Sequence, residues 1–228
     1  ATLFFNINYI LLSTNILGCK QMNGKSTIKI QEGKVGMIGY GMLSSLESLE
    51  EILGRKYEDP IYWIHLSGLQ RAWNFVAPNN DPNFPAEYIN YESFYLKNNS
   101  AIPYEKSIFL NIIENKDIRL NCTLYFLTHE ELALFDQFEL GYTRIDVTDR
   151  VEEYNFENGK VYAYKALPEY EYDDINDGDK SIIEKRYLDL VLASYDKLGK
   201  EHKLEFEQST LPHDPKLVAP VIHRKIRE

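Results

Sequence analysis

The sequence predicts an α+β fold in which a mixed, barrel-like β-sheet carries flanking helices. Segments rich in β-branched and aromatic residues recur along most of the chain, whereas helical spacing is limited to a few stretches. The 228 residues suffice for one domain with a substantial core, and no internal repeat is present. We expect an apolar, signal-like segment with a polar tether at residues 1–34. The domain itself should follow at residues 35–228 and carry a C-terminal helical extension.

Residues 35–43 predict a short buried strand that ends in a tight turn, because two glycines there permit backbone angles closed to other residues. Ser44 and Glu47 have the spacing of a capping box, so a helix should begin there and end at Gly54. A strand, a glycine turn and a helix N-terminus aim several backbone N–H groups at one point, where a carboxylate or carbonyl oxygen can bind. A turn that only links two core elements is the alternative.

The rest of the chain alternates predicted strands and helices. Strands are expected at residues 60–75, 107–113, 122–127, 143–147 and 160–167. A second capping box, Thr128 with Glu131, should open a short helix. Residues 77–86, rich in proline and asparagine, predict a surface loop that is a candidate lid. Helical spacing from Ser181 predicts a helix up to Gly199, then a second at residues 204–208 and an extended tail.

The composition excludes several classes of function. A formal charge of −10 and a pI near 5.1 argue against nucleic-acid binding, which needs a basic surface. Only two cysteines, Cys19 and Cys122, rule out a disulfide framework or a multi-cysteine metal site. The five histidines are scattered without metal-ligand spacing, and no G-x-S-x-G motif is present. Residues 173–184 resemble a calcium loop at several positions, but Ile175 offers no oxygen at the third, so an acidic turn is favoured.

The N-terminal segment allows two interpretations. Residues 2–18 carry no charge and end in Ile16-Leu17-Gly18-Cys19, which resembles the lipobox of a bacterial lipoprotein signal. In that case Cys19 is lipidated, the protein is an envelope lipoprotein, and the core from residue 35 folds without the segment. The alternative is an additional edge strand in a cytoplasmic protein. The apolar run stops short of a transmembrane span.

Glu139 is the carboxylate that the sequence singles out. It follows a predicted helix with apolar neighbours and precedes Gly141 and Tyr142. Partial desolvation there would raise its pKa toward the range useful for proton transfer near neutrality. A surface glutamate at the end of a helix is the alternative.

Several segments, in order, resemble motifs of the γ-glutamylcyclotransferase family (AIG2-like, bacterial branch). The first two correspond to its Y-G-[ST]-L strand end and, about a hundred residues on, to its L-D-x-x-E-x-G-Y segment. The matching segments are Tyr40-Gly41-Met42-Leu43, residues 135–142, the strand Gly68-Leu69-Gln70-Arg71-Ala72-Trp73-Asn74-Phe75, and Tyr187-Leu188-Asp189-Leu190-Val191 with Phe206-Glu207-Gln208-Ser209-Thr210. The resemblance covers residues 35 to about 210. Met42 departs from the usual Ser or Thr, so a hydroxyl contact to substrate is absent at that position, whereas backbone contacts survive.

The resemblance implies an enzyme that releases 5-oxoproline from a γ-glutamyl amine or peptide, in which the substrate's α-amine attacks its own γ-carbonyl. No cofactor, metal or protein nucleophile is then needed. Glu139 would be the general acid and base. The implied substrate-binding residues are Gly39, Tyr40, Gly41, Met42, Leu43 and Tyr142.

Two rival functions remain open at this stage. One is a non-catalytic module that binds a small molecule on the same fold, which Met42 favours and Glu139 disfavours. The other is a lipoprotein without a small-molecule site. Neither the departing amine nor an oligomeric state follows from the sequence.

Overall fold

The computed structural model describes residues 24–85, 91–172 and 180–225. Its strands are β1 (Ser26–Lys29), β2 (Lys34–Gly39), β3 (Tyr62–Pro78), β4 (Tyr91–Lys97), β5 (Ser100–Pro103), β6 (Lys106–Thr128), β7 (Tyr142–Asp146), β8 (Tyr154–Glu157), β9 (Val161–Ala166), β10 (Ser181–Glu184), β11 (Val218–Ala219) and β12 (Val221–Lys225). Its helices are α1 (Leu46–Leu53), α2 (His129–Phe138), α3 (Lys185–Leu198) and α4 (Lys200–Gln208).

The main sheet is organised around the long strand β6. This strand pairs antiparallel with β3, from Tyr62 opposite Leu124 to Pro78 opposite Lys106, and antiparallel with β2 over residues 123–128. The sheet runs in the order β11-β10-β6-β2-β9-β7, with parallel pairs at β2–β9 and β10–β6. The predicted α+β class with a mixed sheet is therefore confirmed.

Two smaller sheets complete the strand pairing of the described residues. Strands β12, β4 and β5 form an antiparallel sheet, and β1 pairs parallel with β8. The three-stranded sheet contributes Tyr91, Ser93 and His223 to one side of the cavity described below.

Irregularities in β3 allow this long strand to change direction. Gly68 has a φ of +74°, which favours glycine, and the register against β6 shifts between Ser67 and Leu69. A second shift lies between Ala72 and Phe75. A bulge of this kind re-aims the side chains that follow it, and Phe75 comes directly after the second one.

The helices cover the apolar faces of the sheet. Leu188, Val191 and Tyr195 of α3 pack with Phe206 of α4 into the largest core cluster. Helices α1 and α2 pack on a second cluster that contains Met37 of β2. Strand β2, which leads into the turn at residues 39–43, is therefore packed against helices, and this packing holds the turn in place.

The second predicted capping box is confirmed, since Thr128 and Glu131 exchange both hydrogen bonds at the start of α2. The first is wrong by one residue. Ser45 caps α1, because the Ser44 hydroxyl is buried and donates to the Gly39 carbonyl at 2.9 Å. Gly54 ends α1 in the left-handed conformation, as predicted.

The predicted helix from Ser181 begins only at Lys185. Residues 181–184 form strand β10 between β6 and β11. Ser181, Ile182 and Ile183 are all buried, so the consecutive isoleucines reflect a covered strand rather than one face of a helix.

The polar tether predicted up to residue 34 is also partly wrong. Residues 26–29 form β1, and Ile30 is 1% exposed within the largest core cluster. The strands β4 and β5 were not predicted at all, because their exposed polar residues hide the period-two pattern.

The predicted loop at 77–86 is anchored where it is described. Strand β3 extends to Pro78, and the Asn79 N–H donates to the Glu105 carbonyl at 2.8 Å. Asp81 is buried and accepts a 2.8 Å hydrogen bond from the Tyr170 hydroxyl. The lipobox-like segment and Cys19 lie outside the described residues. None of the helices within the described ranges has the length and apolar character required to cross a bilayer.

Candidate active site

Gly39 ends β2 at the point where the chain folds back on itself. A Cβ atom on Gly39 would lie 2.0 Å from the Leu43 carbonyl oxygen and 2.9 Å from the Thr123 hydroxyl, so only glycine fits. The Gly39 carbonyl accepts hydrogen bonds from Ser44 and Thr123, each 2.9 Å long. The turn at 39–43 is thus closed from both sides, which agrees with the tight glycine turn predicted from the sequence.

The turn carries backbone N–H groups that have no acceptor among the described residues. Its 3-10 segment, Met42–Ser44, forms hydrogen bonds from Ser44 N to Gly41 O and from Ser45 N to Met42 O, and no side chain caps its start. These bonds leave the N–H groups of residues 41–43 unused. Such groups can hold a carboxylate or a developing oxyanion.

Arg71 holds the turn from behind. Its side chain is fully buried, and Nε donates to the Tyr40 carbonyl at 2.6 Å. Its terminal nitrogens donate to the backbone and side chain of Asn121, to Ser209 and to the Tyr195 hydroxyl. No carboxylate pairs with Arg71 among the described residues, so an uncompensated positive charge stands behind the turn and favours an anionic ligand.

Glu139 is positioned by the end of α2. Its N–H donates to the Phe135 carbonyl at 2.8 Å, and its own carbonyl accepts from the Tyr142 N–H at 3.1 Å. Gly141 has a φ of +78°, and a Cβ there would lie 2.8 Å from the Phe75 ring. Glycine therefore allows Phe75 to stack on Tyr142, with ring centroids 4.2 Å apart, which fixes the segment that carries Glu139.

The Glu139 carboxylate is partly buried and has no hydrogen-bond or ion-pair partner among the described residues. Burial raises its pKa to about 7. The protonated and ionised forms are therefore both populated near neutral pH. A group that first accepts a proton and then donates one requires this property.

Four tyrosines lie close enough to Glu139 to be influenced by its charge: Tyr40, Tyr142, Tyr164 and Tyr187. Burial raises the pKa of each hydroxyl, and the Glu139 charge raises it further. All four therefore stay neutral over the physiological range. Of these five side chains, Glu139 is the one that can exchange a proton near pH 7.

The tyrosine hydroxyls differ in their hydrogen-bond partners. Those of Tyr40 and Tyr142 donate to backbone carbonyls at 2.7 Å. The Tyr187 hydroxyl instead accepts from the Leu110 N–H at 3.4 Å, and its proton has no acceptor among the described residues. A Cβ on Gly41 would lie 3.3 Å from this hydroxyl, so Tyr187 lies beside the free N–H groups of the turn and can donate to a ligand held there.

These groups meet in one cavity of about 600 Å³. Of the residues predicted from the sequence, those that line it are Tyr40, Gly41, Met42, Leu43, Glu139 and Tyr142. Gly39 does not line it, and acts by allowing the turn to close. The structure thus brings together two segments about a hundred positions apart. The catalytic role of Glu139 remains a prediction.

The sequence reasoning missed several cavity residues: Phe75, Phe84, Tyr91, Ser93, Phe109, Tyr187 and His223. Phe75 and Tyr187 fall within matched motifs, but an aromatic residue in a strand or helix is more often part of the core. Ser93 and His223 come from the small sheet, where the Ser93 hydroxyl lies 3.0 Å from His223 Nδ1. No local sequence signal connects residues 130 positions apart.

The remaining candidate sites are not assembled in the described residues. No cluster of three or more potential metal ligands occurs there. Asp173 of the calcium-like segment lies outside the described residues, whereas Ser181 and Glu184 lie on β10. His65 Nδ1 is hydrogen-bonded to a Glu153 carboxylate oxygen at 2.7 Å, and this bond raises the pKa of His65. The contacts of His65 are therefore those of a structural residue.

Comparisons with known proteins returned structures only. A γ-glutamyl cyclotransferase is 12% identical, with 79% of this chain and 90% of that chain covered and a TM-score of 0.48. A yeast γ-glutamyl cyclotransferase specific to glutathione is 10% identical over 81% and 91% of the two chains, with a TM-score of 0.37. An Arabidopsis thaliana protein is 18% identical over 63% and 78%, with a TM-score of 0.35. No family model and no curated protein matches the sequence.

At these identities and TM-scores the likeness carries no argument for an activity or a substrate. The case for an activity therefore depends on the cavity and on Glu139.

Proposed function

We propose that this protein releases 5-oxoproline from a γ-glutamyl amide by attack of the substrate's own α-amine. The observation that carries the proposal is Glu139, a carboxylate without a partner among the described residues and with a pKa near 7, in the same cavity as the free N–H groups of residues 41–43. The γ-glutamyl motifs of the sequence select this reaction among those that need a general acid and base.

In the proposed reaction, ionised Glu139 accepts a proton from the substrate's α-ammonium group. The freed amine attacks the γ-carbonyl carbon and forms the five-membered lactam. The bond to the departing nitrogen breaks as protonated Glu139 gives its proton to that nitrogen. The attacking nitrogen loses a second proton when it becomes the lactam nitrogen, and Glu139 transfers this proton to the released amine as well, so that the amine departs as an ammonium ion and Glu139 is again ionised. No water is consumed. The enzyme gains rate by holding amine and carbonyl together, since intramolecular attack has a high effective concentration.

The turn would supply the electrostatic part of the mechanism. The N–H groups of residues 41–43 can hold the α-carboxylate or the developing oxyanion, and the buried charge of Arg71 behind Tyr40 supports negative charge there. The Tyr187 hydroxyl is a further donor beside Gly41. Met42 contributes its N–H, since its side chain has no hydroxyl to offer.

The test measures 5-oxoproline by mass spectrometry after incubation with a panel of γ-glutamyl amides and peptides. We expect Glu139→Gln to lower kcat by about 100-fold to 10,000-fold while substrate still binds, because the amide keeps the volume but cannot carry the proton. Glu130→Gln at the exposed start of the same helix is the matched control and should retain full activity.

The same substrate panel, with binding also measured by calorimetry, distinguishes a second function. If the wild-type protein bound γ-glutamyl compounds in calorimetry but released no 5-oxoproline, it would be a non-catalytic binding module. Turnover by a folded Glu139→Gln variant at the wild-type rate would remove Glu139 from the mechanism.

A further inference from the structure

Aromatic rings form a continuous wall from the turn to the far side of the cavity. The Tyr187 ring, beside Gly41, lies 5.1 Å from the Phe109 ring, which lies 5.9 Å from Phe75. Phe75 in turn stacks on Tyr142. The acyl side and the amine side of the reacting amide would therefore both lie against aromatic rings.

The cavity is larger than a glutamyl group requires. Its volume of about 600 Å³ lies in the range, roughly 300–1,000 Å³, that accommodates drug-sized ligands. If the glutamyl part occupies the turn and Glu139, the remaining space is bounded by Phe109 and Phe84 and by the three-stranded sheet with Tyr91. This space is available to the departing group.

Charged partners for that group are scarce. No lysine or arginine is found among the described residues that line the cavity, and Glu139 is the acidic residue in that set. His223 at the rim is 44% exposed, contacts Ser93 and lies 3.9 Å from Glu184. Among the described lining residues, a carboxylate on the departing group would meet no fixed cation, and an ammonium group would find its acid partner already engaged in proton transfer.

We infer that the group on the departing nitrogen is aromatic and carries no charge of its own, so that the substrate is a γ-glutamyl arylalkylamide rather than a γ-glutamyl dipeptide or polyamine. This inference rests on the proposed function. Offset and edge-on ring contacts with Phe109 and Phe75 stabilise such a group, and burying it leaves no charge unpaired. The chemical step is unchanged, with the released amine taking its protons through Glu139.

The test compares kcat/KM for three substrates. γ-Glutamyl-phenethylamide carries the neutral ring, γ-glutamyl-phenylalanine adds only a carboxylate, and γ-glutamyl-putrescine replaces the ring by an ammonium chain. We expect the first to exceed the other two by at least about tenfold. Equal or higher kcat/KM for either charged substrate would overturn the inference while leaving the proposed function intact.

A second arm separates binding from turnover. The affinity of the Glu139→Gln variant for the three compounds should follow the same order in calorimetry. If no substrate gave 5-oxoproline, the proposed function would fail, yet preferential binding of the phenethylamide would still support an aromatic-amine site. Equal or tighter binding of the charged compounds would contradict it.

A charge-introducing variant provides the reverse test. Ser93 lines the cavity, so Ser93→Arg should raise kcat/KM for γ-glutamyl-phenylalanine relative to the phenethylamide by about tenfold. Ser100→Arg, on the exposed strand β5 of the same sheet, makes the same change away from the cavity and should leave the ratio unaltered. An unchanged ratio in Ser93→Arg, or an equal shift in both variants, would contradict the inference.

Discussion

The Tyr40 carbonyl oxygen accepts a 2.6 Å hydrogen bond from Nε of Arg71, a residue 31 positions further along the chain. This contact joins the end of β2 to the middle of β3 and orients the turn whose N–H groups face the cavity. Because Arg71 is buried without a carboxylate among the described residues, its charge is balanced by dipoles of carbonyl and hydroxyl groups and by the faces of the Tyr195 and Phe206 rings.

Arg71→Met should therefore destabilise the protein by about 2–4 kcal/mol, because several buried acceptors lose their donor. Arg71→Lys keeps the charge but has fewer donors in a different geometry, so we expect an intermediate loss. Urea unfolding measures both. Arg119→Met at an exposed ion pair is the control and should change stability little. Wild-type stability in Arg71→Met would refute the role of this contact.

Gly39→Ala should distort the turn, because the added Cβ would lie 2.0 Å from the Leu43 carbonyl oxygen. We expect a loss of about 1–3 kcal/mol in stability and a fall in kcat. Gly24→Ala, where nothing lies within 4 Å of the added atom, is the matched control. If the two variants unfolded at the same urea concentration, the close approach at Gly39 would not be needed.

Glu139 should make stability depend on pH in a defined direction. Its pKa is about 7 in the folded state and near 4.5 when unfolded. The unfolded chain therefore loses this proton first, and stability falls as pH rises through that window and levels off above it. Relative to Glu139→Gln, the free energy of unfolding of the wild type should fall by up to about 3 kcal/mol between pH 4 and 8. Water in the cavity would make this fall smaller, because it hydrates the carboxylate.

Unfolding of both proteins at several pH values measures this difference. A constant difference across the range would show that the carboxyl group is not desolvated. The rate of 5-oxoproline release should move oppositely, rising with pH through about 7 as Glu139 ionises, because only the ionised form accepts the α-ammonium proton.

We propose further that residues 1–18 are removed and Cys19 is lipidated in a bacterial host, on the basis of the sequence alone. Two or three acyl chains anchor stably, since each buried CH₂ contributes about 0.8 kcal/mol. Mass spectrometry of the membrane fraction should find the acylated cysteine. An intact N-terminus in the cytoplasm would contradict this. A protein that begins at Lys20 should stay folded, whereas one that begins at Val35 should not, because it lacks β1 and the buried Ile30.

The local elements were largely predictable because their signals are local. The second capping box set the start of α2, and glycine ended α1. Local signals failed where contacts with residues distant in the sequence determine the local structure. Ile182 and Ile183 look like part of a helix until β6 and β11 are seen on either side. Ser44 and Ser45 are equivalent caps until burial commits the Ser44 hydroxyl to Gly39.

The sequence by itself determined the two ends of the site, the glycine turn at 39–43 and the Glu139 segment, because glycine requirements and a helix end depend on nearest neighbours. Only the tertiary structure decided that they share one cavity, that burial raises the pKa of Glu139, and that Arg71 stands behind Tyr40. It also decided the aromatic wall of Phe109 and Phe75, since desolvation and ring packing are set by residues far apart in the chain.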